Sequence, residues 1–348
     1  EEVSGLTLPE TDLAWASFPC QDLSLAGARA GLKGARSSAF YAFWSLMTGL
    51  KDDDKPPRII VLENVPGFLS SNGGRDFAHV VRMMTEAGYF ASALVLDARA
   101  FSPQSRRRVF LFGFSEDALA GLGARVGRDA PGDDQDHTPP ALRAAVAGLP
   151  GAVRRDWRWL RDGPQTLRNA ALADLVTDQA GACSDDWFPA LQTDRLLAAM
   201  SPRQRAALDA LKATGGRHVG AAFKRIRSAN GAKVLRVEAR FDGLAGCLRT
   251  PAGGSSRQLI VEINDGAVRM RLLRPREAAR LMGLPDDYVL PASATAALKL
   301  CGDGVSVPVV QWIGEHILKP ALQGRNNKDN GAPARERPVG DDTAQRAA

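Results

Sequence analysis

The sequence predicts an α/β domain built on a largely parallel sheet, and three features of its 348 residues carry that reading. Strand-like apolar runs alternate with helical patterns over the first 115 residues, at the spacing of crossover connections. The run RIIVLENV (58–65) is rich in β-branched residues and ends in polar ones, as a strand buried on both faces requires. Periodicity then fades after about residue 116 and returns later, which suggests an inserted region of different character.

Taken in order, residues 12–19 (DLAWASFP) read as a buried strand running into a loop, and 38–50 as an amphipathic helix followed by the charged connector KDDDKPP. After the strand at 58–65, residues 75–87 read as a helix with Gly88 as its stop. Two further strands are expected at 91–98 and 108–114. Residues 121–164 are rich in Gly, Pro, Asp and Arg. Helices are expected at 187–199 and 201–213, the second opened by Ser201 as N-cap and Pro202 in the first turn. A basic, glycine-containing stretch fills 220–256. RQLIVEI (257–263) and AVRMRLL (267–273) suggest a hairpin, 274–283 a short helix and 305–321 an apolar helix. The polar tail from 322 to 348 is expected to be disordered.

Composition narrows the classes. With 45% hydrophobic residues the chain can bury a core. No uninterrupted apolar run reaches membrane-span length, and residues 1–12 are acidic and polar, unlike a signal peptide. A cytoplasmic protein is expected. The formal charge of +6 suits a polyanionic partner, since lysines and arginines displace counterions along phosphates. Four cysteines (Cys20, Cys183, Cys247, Cys301) form no CxxC pair, and the four histidines lie at no ligand spacing from them. Neither a zinc site nor a disulfide framework is expected. One cysteine is left as a candidate nucleophile.

Three clusters carry chemistry. Pro19-Cys20-Gln21 follows the first strand, so the thiol sits at the carboxyl edge of the sheet, where α/β proteins place their ligands; a small core residue would fit there too. Glu63-Asn64-Val65 ends the next strand, and the carboxylate could face the same cleft or simply water. In Gln104-Ser105-Arg106-Arg107-Arg108, strand alternation puts Arg106 and Arg108 on one face and Arg107 on the other. Two guanidiniums beside a thiol and a carboxylate could bind phosphate and a base carbonyl, or form a solvated edge.

The order of these clusters resembles that of the DNA cytosine C5-methyltransferase family. Arg274-Pro-Arg-Glu-Ala-Ala-Arg-Leu-Met-Gly-Leu-Pro285 is similar to the family's ninth motif, Gly302-Asp-Gly-Val-Ser-Val-Pro-Val-Val310 to its tenth, and Gly31-Leu32 with Arg36 to its fifth. The match spans roughly residues 1–115 and 240–320. The resemblance implies a class I (Rossmann-like) methyltransferase sheet, N-terminally incomplete, with an inserted small target-recognition domain. The catalytic domain is then expected at 1–115 and 270–321, and the recognition region at 116–269.

The implied reaction moves a methyl group from S-adenosylmethionine to C5 of a flipped cytosine through a covalent adduct at C6. Cytosine C5 is a poor nucleophile until a thiolate adds to C6 and makes C5 enamine-like; a deprotonated cysteine suits that addition. The resemblance assigns Cys20 as nucleophile and Glu63 to the base's N3 and amine. It assigns Arg108 to the carbonyl O2, and Arg106 to positioning Cys20 or a phosphate. Gln104 supports a loop that begins at Gln21 and includes Ser24, closing over the extruded base, and Gln21, Ser24, Asn64 and Gln104 are implied contacts to the substrate DNA. Pro19, Asp303 and Val305 lie with the methyl donor. Double-stranded DNA is the implied partner, read by residues 116–256, where Lys224, Arg225, Arg227, Arg236, Arg240 and Arg249 are candidate groove contacts. The Gly253-Gly254-Ser255-Ser256-Arg257 stretch could bring backbone close to phosphate or act as a linker.

The sequence departs from the family at its start. The Phe-x-Gly-x-Gly strand–turn–helix that holds the donor has no counterpart, residues 1–22 begin near the third motif, and the tail beyond 322 does not supply the block. A missing N-terminal segment is therefore expected, supplied by the same gene or by a separate subunit. Without it the strand at 12–19 should be an exposed edge and donor binding weak. The alternatives are a non-catalytic DNA-binding remnant and an RNA cytosine methyltransferase; the long region at 116–256 argues against the latter.

Overall fold

The structure is a computed structural model that describes residues 8–18, 38–132, 135–176, 186–229, 232–250 and 257–323. Its first sheet forms from the expected runs: β1 (Leu13–Ala16), then α1 (Ser38–Asp52), β2 (Ile59–Asn64), α2 (Arg75–Glu86), β3 (Phe90–Asp97) and β4 (Arg107–Phe114). The strand order is β1-β2-β4-β3. β1 pairs with β2 in parallel, whereas β4 is antiparallel to both β2 and β3. The short connection over 98–106 explains that reversal, because a parallel return needs a longer crossover. As a result the carboxyl ends of β1, β2 and β3 and the amino end of β4 share one edge, which gathers Glu63, Asp97 and Arg107 there.

All six residues of β2 are buried, and alternation sends them into two cores. Ile60 and Leu62 meet Phe40, Phe77, Val80 and Met84 on the side of α1 and α2. Ile59 and Val61, with Phe110, Phe112 and Phe114 of β4, meet Trp312, Ile313 and Ile317 from the end of the chain. β1 is half-buried along its length, and among the described residues it pairs only with β2.

The segment with little periodicity is more ordered than its sequence suggests. It contains α3 (Glu116–Leu122), β5 (Val126–Gly127), α4 (Pro140–Ala147), α5 (Gly151–Arg154) and β6 (Trp159–Leu160). Ser115 caps α3 by accepting from the Ala118 N–H at 3.4 Å. Helices of four to eight residues span too few turns to display an apolar period. Leu142, Val146, Val153, Trp157 and Trp159 nonetheless join the core beside α2.

A second, fully antiparallel sheet follows α6 (Leu172–Leu175), α7 (Ala190–Ala198) and α8 (Pro202–Thr214). Ser201 and Gln204 form the capping box that starts α8. The sheet comprises β7 (Arg217–Ala229), β8 (Ala232–Arg240), β9 (Gln258–Asn264) and β10 (Ala267–Leu272), in the order β10-β9-β7-β8. The expected hairpin is β9–β10, turning at Asp265 (φ 46°) and Gly266 (φ 82°). The basic stretch holds a second, longer hairpin, β7–β8. Its signal in the sequence is the Asn230-Gly231 pair, strongly favoured in two-residue hairpin turns.

One face of this sheet packs on α7 and α8 through Ala222, Val237, Leu259, Leu196, Met200 and Leu208. The other face packs on α6, α9 (Pro275–Leu281) and α10 (Ala294–Asp303) through Val219, Ala221, Ile260, Ala278 and Leu298. The expected helix at 305–321 is α11 (Val307–Ile313), one π-helical turn (Gly314–Leu318) and α12 (Lys319–Gln323), which return to the first sheet. Among the described residues no helix is long and apolar enough to cross a membrane.

Candidate active site

Glu63 leaves β2 on the side of α11, and the register pairs it with Phe110. Arg108, two residues earlier on β4, therefore reaches the same face. Its Nε lies 2.9 Å from Glu63 Oε1, and its Nη1 donates to the Arg107 carbonyl at 2.8 Å. The two side chains are only 10% and 16% exposed, so the charges attract in a partly dry setting. A carboxylate beside a guanidinium offers adjacent acceptors and donors, a match for the polar edge of a planar heterocycle.

Arg106, expected to position Cys20 or a phosphate, lies on that same face, as alternation predicts, and is bonded to backbone carbonyls. The residue is 4% exposed. Nη1 donates to the Leu248 carbonyl at 3.0 Å, and Nη2 to those of Gly302 (3.1 Å) and Gly304 (2.7 Å). Burial lowers its pKa from the usual arginine value, and Arg108 lowers it further. A guanidinium committed to three carbonyls cannot also clamp a phosphate. It ties β4 to the 245–250 strap and to the turn after α10.

Gln104 is corrected in the same way. It is fully buried; its Nε2 donates to the Leu281 carbonyl at 3.0 Å, and its Oε1 accepts from the Leu248 N–H at 3.2 Å. It holds the strap and the end of α9, out of reach of DNA. Asn64, 3% exposed, faces the α2 core, and its Oδ1 accepts from the Val65 N–H at 2.9 Å. Its Nδ2 is buried without a partner among the described residues.

Asp303 ends α10, is exposed, and accepts a hydrogen bond from the Thr250 hydroxyl. Val305, half-buried, lines a pocket with Leu96, Arg106, Arg108, Phe110, Ser306 and Val309. Ser306 Oγ is buried there without a partner. Thr250 and Ser306 escaped the sequence reading because single hydroxyl residues carry no spacing signal.

The basic residues sort by face. Cross-strand pairing sets Phe223, Arg225 and Arg227 of β7 on one face with Glu238, Arg236 and Val234 of β8. Arg249 joins them, its guanidinium 5.8 Å from the Phe223 ring and that of Arg225 at 5.4 Å. Lys224 pairs with Val237 and projects from the opposite face. Burial raises the pKa of Glu238, but hydrogen bonds from Arg227 and Arg225 outweigh it and hold the carboxyl below its ordinary range. Arg225 and Arg236 are direct cross-strand partners, a like-charge juxtaposition that an anion would relieve. Phe223 was legible by counting back two residues from Arg225.

Pro19, Cys20, Gln21 and Ser24, with Gly31, Leu32, Arg36 and residues 251–256, lie outside the described residues. The chain leading to them is anchored by Phe18, whose ring packs on Phe40 at 5.3 Å and Phe68 at 6.2 Å. Phe68 lies in the turn that follows Glu63 and Asn64. Among the described residues, Cys247 and Cys301 are free thiols, and no cluster of His, Cys, Asp and Glu could hold a metal ion.

A mixed sheet with one reversed strand, cores on both faces and a paired acid and arginine at its edge define an α/β protein with its candidate site at the carboxyl edge of the sheet. The family model for C-5 cytosine-specific DNA methylases matches residues 1–193 and 199–319, and the chain belongs to that family. Type II methyltransferase M2.BsuMI of Bacillus subtilis (strain 168) is 28% identical over 324 residues, covering 90% of this chain and 61% of that protein. Type II methyltransferase M.HhaI of Haemophilus parahaemolyticus is 25% identical over 317 residues, covering 91% and 78%. The chain thus spans about three-fifths of the first relative's length. Among solved structures, the S. pombe Dnmt2 methyltransferase aligns with a TM-score of 0.49 at 14% identity over 92% of this chain and 84% of that one. The Entamoeba histolytica methyltransferase EhMeth aligns with a TM-score of 0.49 at 11% identity over 88% and 77%.

Proposed function

We propose that the chain is the catalytic region of a DNA cytosine C5-methyltransferase that transfers a methyl group from S-adenosylmethionine to a flipped cytosine. The observation that carries this is the Glu63–Arg108 pair, 2.9 Å apart at the sheet edge, in a member of the cytosine methylase family. Glu63 accepts from the exocyclic amine and, when protonated, donates to N3; Arg108 donates to O2. The Cys20 thiolate adds to C6, and C5 then attacks the methyl carbon of the co-substrate, whose bond to the sulfonium sulfur breaks so that a neutral thioether leaves. Loss of the C5 proton and departure of the thiolate restore the aromatic base. The apolar wall of Phe110, Val305 and Val309, the unpartnered Ser306 hydroxyl and the exposed Asp303 carboxylate suit the methyl donor, a cationic co-substrate. Arg225, Arg227, Arg236 and Arg249 supply the phosphate-facing charge for duplex DNA.

Transfer of tritiated methyl groups to duplex DNA and to transfer RNA tests the reading. Label in duplex DNA that disappears in Cys20→Ser is the expected result. Preferential labelling of transfer RNA would overturn the DNA assignment. Duplex binding without any transfer would favour a non-catalytic DNA-binding role.

A further inference from the structure

A cavity of about 210 Å³ lies beside the carboxyl end of β3, on the sheet face opposite the Glu63–Arg108 pair. Asp97 and Arg107 line it; they are register partners on the sheet face opposite to Glu63, Arg106 and Arg108. Arg99, Asp136, His137, Thr166 and Arg168 complete its polar lining.

The charges within it do not cancel. Asp97 lies 3.6 Å from Arg99 and 3.5 Å from Arg107, and its Oδ1 also accepts the backbone N–H groups of Arg99 and Arg106. Asp136 pairs with Arg99 at 3.2 Å. Both carboxylates thus have cationic partners, whereas the Arg168 Nη1 is buried with none. His137 is 6% exposed. A Cβ added at Gly163 would sit 2.0 Å from its Nδ1, so that edge of the ring presses on the 161–163 backbone. The other ring nitrogen, Nε2, is buried without a partner. Burial holds the His137 pKa below its ordinary value against the hydrogen bond to the Arg161 backbone, so Nε2 carries a lone pair at neutral pH.

A buried cationic donor and a buried neutral acceptor in one polar cavity call for a ligand that is anionic at one end and carries a hydroxyl at the other. We propose that this cavity binds a sugar-phosphate unit, with the phosphate on Arg168 and a sugar hydroxyl donating to His137 Nε2. The unit is that of a free sugar phosphate or nucleotide, because the sugars inside a DNA strand keep no free hydroxyl to donate. The inference does not depend on methyl transfer, and its test reads binding alone.

Calorimetric titration of the full chain with ribose 5-phosphate, ribose and inorganic phosphate decides it. Ribose 5-phosphate should bind at least tenfold more tightly than either half, and Arg168→Met should weaken it at least tenfold. His137→Phe should do the same while its thermal unfolding midpoint reports that the fold is kept. A short DNA duplex, whose internal sugars have no free hydroxyl, should bind at the same time as ribose 5-phosphate; its displacing ribose 5-phosphate would overturn the hydroxyl contact to His137. Affinity no better than that of inorganic phosphate, or unchanged in Arg168→Met, overturns the proposal.

Discussion

Replacing Arg106 by methionine keeps the aliphatic stem and removes the guanidinium that joins three parts of the chain. Its bonds to the carbonyls of Leu248, Gly302 and Gly304 span 2.7 to 3.1 Å. Hydrogen bonds of a charged donor contribute about 1.5–3 kcal/mol each, so the gross loss is about 5–9 kcal/mol. The residue is 4% exposed, and removing a buried charge also removes its desolvation penalty. Leaving the three carbonyls without that donor costs about 1–3 kcal/mol each where they stay dry, so the net destabilisation expected is about 3–5 kcal/mol. Arg106→Lys should fall between wild type and Arg106→Met, because an ammonium cannot reach both sides of the junction. Gly302→Ala attacks the same junction from the other side: its Cβ would lie 2.5 Å from the Thr250 N and 2.6 Å from the Arg249 carbonyl carbon. Urea unfolding of the three single variants, and of the double variant that carries Arg106→Met together with Gly302→Ala, measures the coupling. The double change should cost less than the two singles added. A loss below about 1 kcal/mol for Arg106→Met would refute the assignment of Arg106 as the tie between β4, the strap and the turn after α10.

Three other outcomes are expected. Burial pushes the Tyr89 pKa up from 10.0 to about 12, while its hydroxyl donates to the Pro57 carbonyl at 2.7 Å. The folded value lies above the unfolded one, so this contribution is whole below pH 10 and is lost as pH rises toward 12. It amounts to about 3 kcal/mol, and Tyr89→Phe should flatten that part of the alkaline unfolding profile. In DNA binding, changing Arg225, Arg227 and Arg249 together to alanine should lower the slope of log K against log salt by up to about 3. Lys224→Ala, on the other face of β7, should leave the slope unchanged, and equal effects would remove the face assignment. Glu63→Gln should lower kcat for methylation by about 10²- to 10⁴-fold with little change in DNA affinity; a near-normal kcat would take Glu63 out of the chemistry.

Features that repeat a short-range pattern were legible in the chain before any packing was known. Uninterrupted apolar runs specified β2, β3 and β4, and Ser201 with Pro202 fixed the start of α8. The ordered clusters around Glu63, Arg108 and Asp303 carried the family. Alternation along β4 also placed Arg106 and Arg108 together. What those residues touch emerged only from the folded arrangement. Arg106 and Gln104 read as substrate contacts because charge and amide groups suggest solvent, yet both are buried and bonded to the 248 strap, more than 140 positions away. Which face of β7 meets α7 and α8, and which meets α9 and α10, likewise depends on partners outside its own hairpin. A hydrophobic period is a property of neighbours in sequence, whereas a buried donor's choice of carbonyl is settled only when separate segments pack and exclude water.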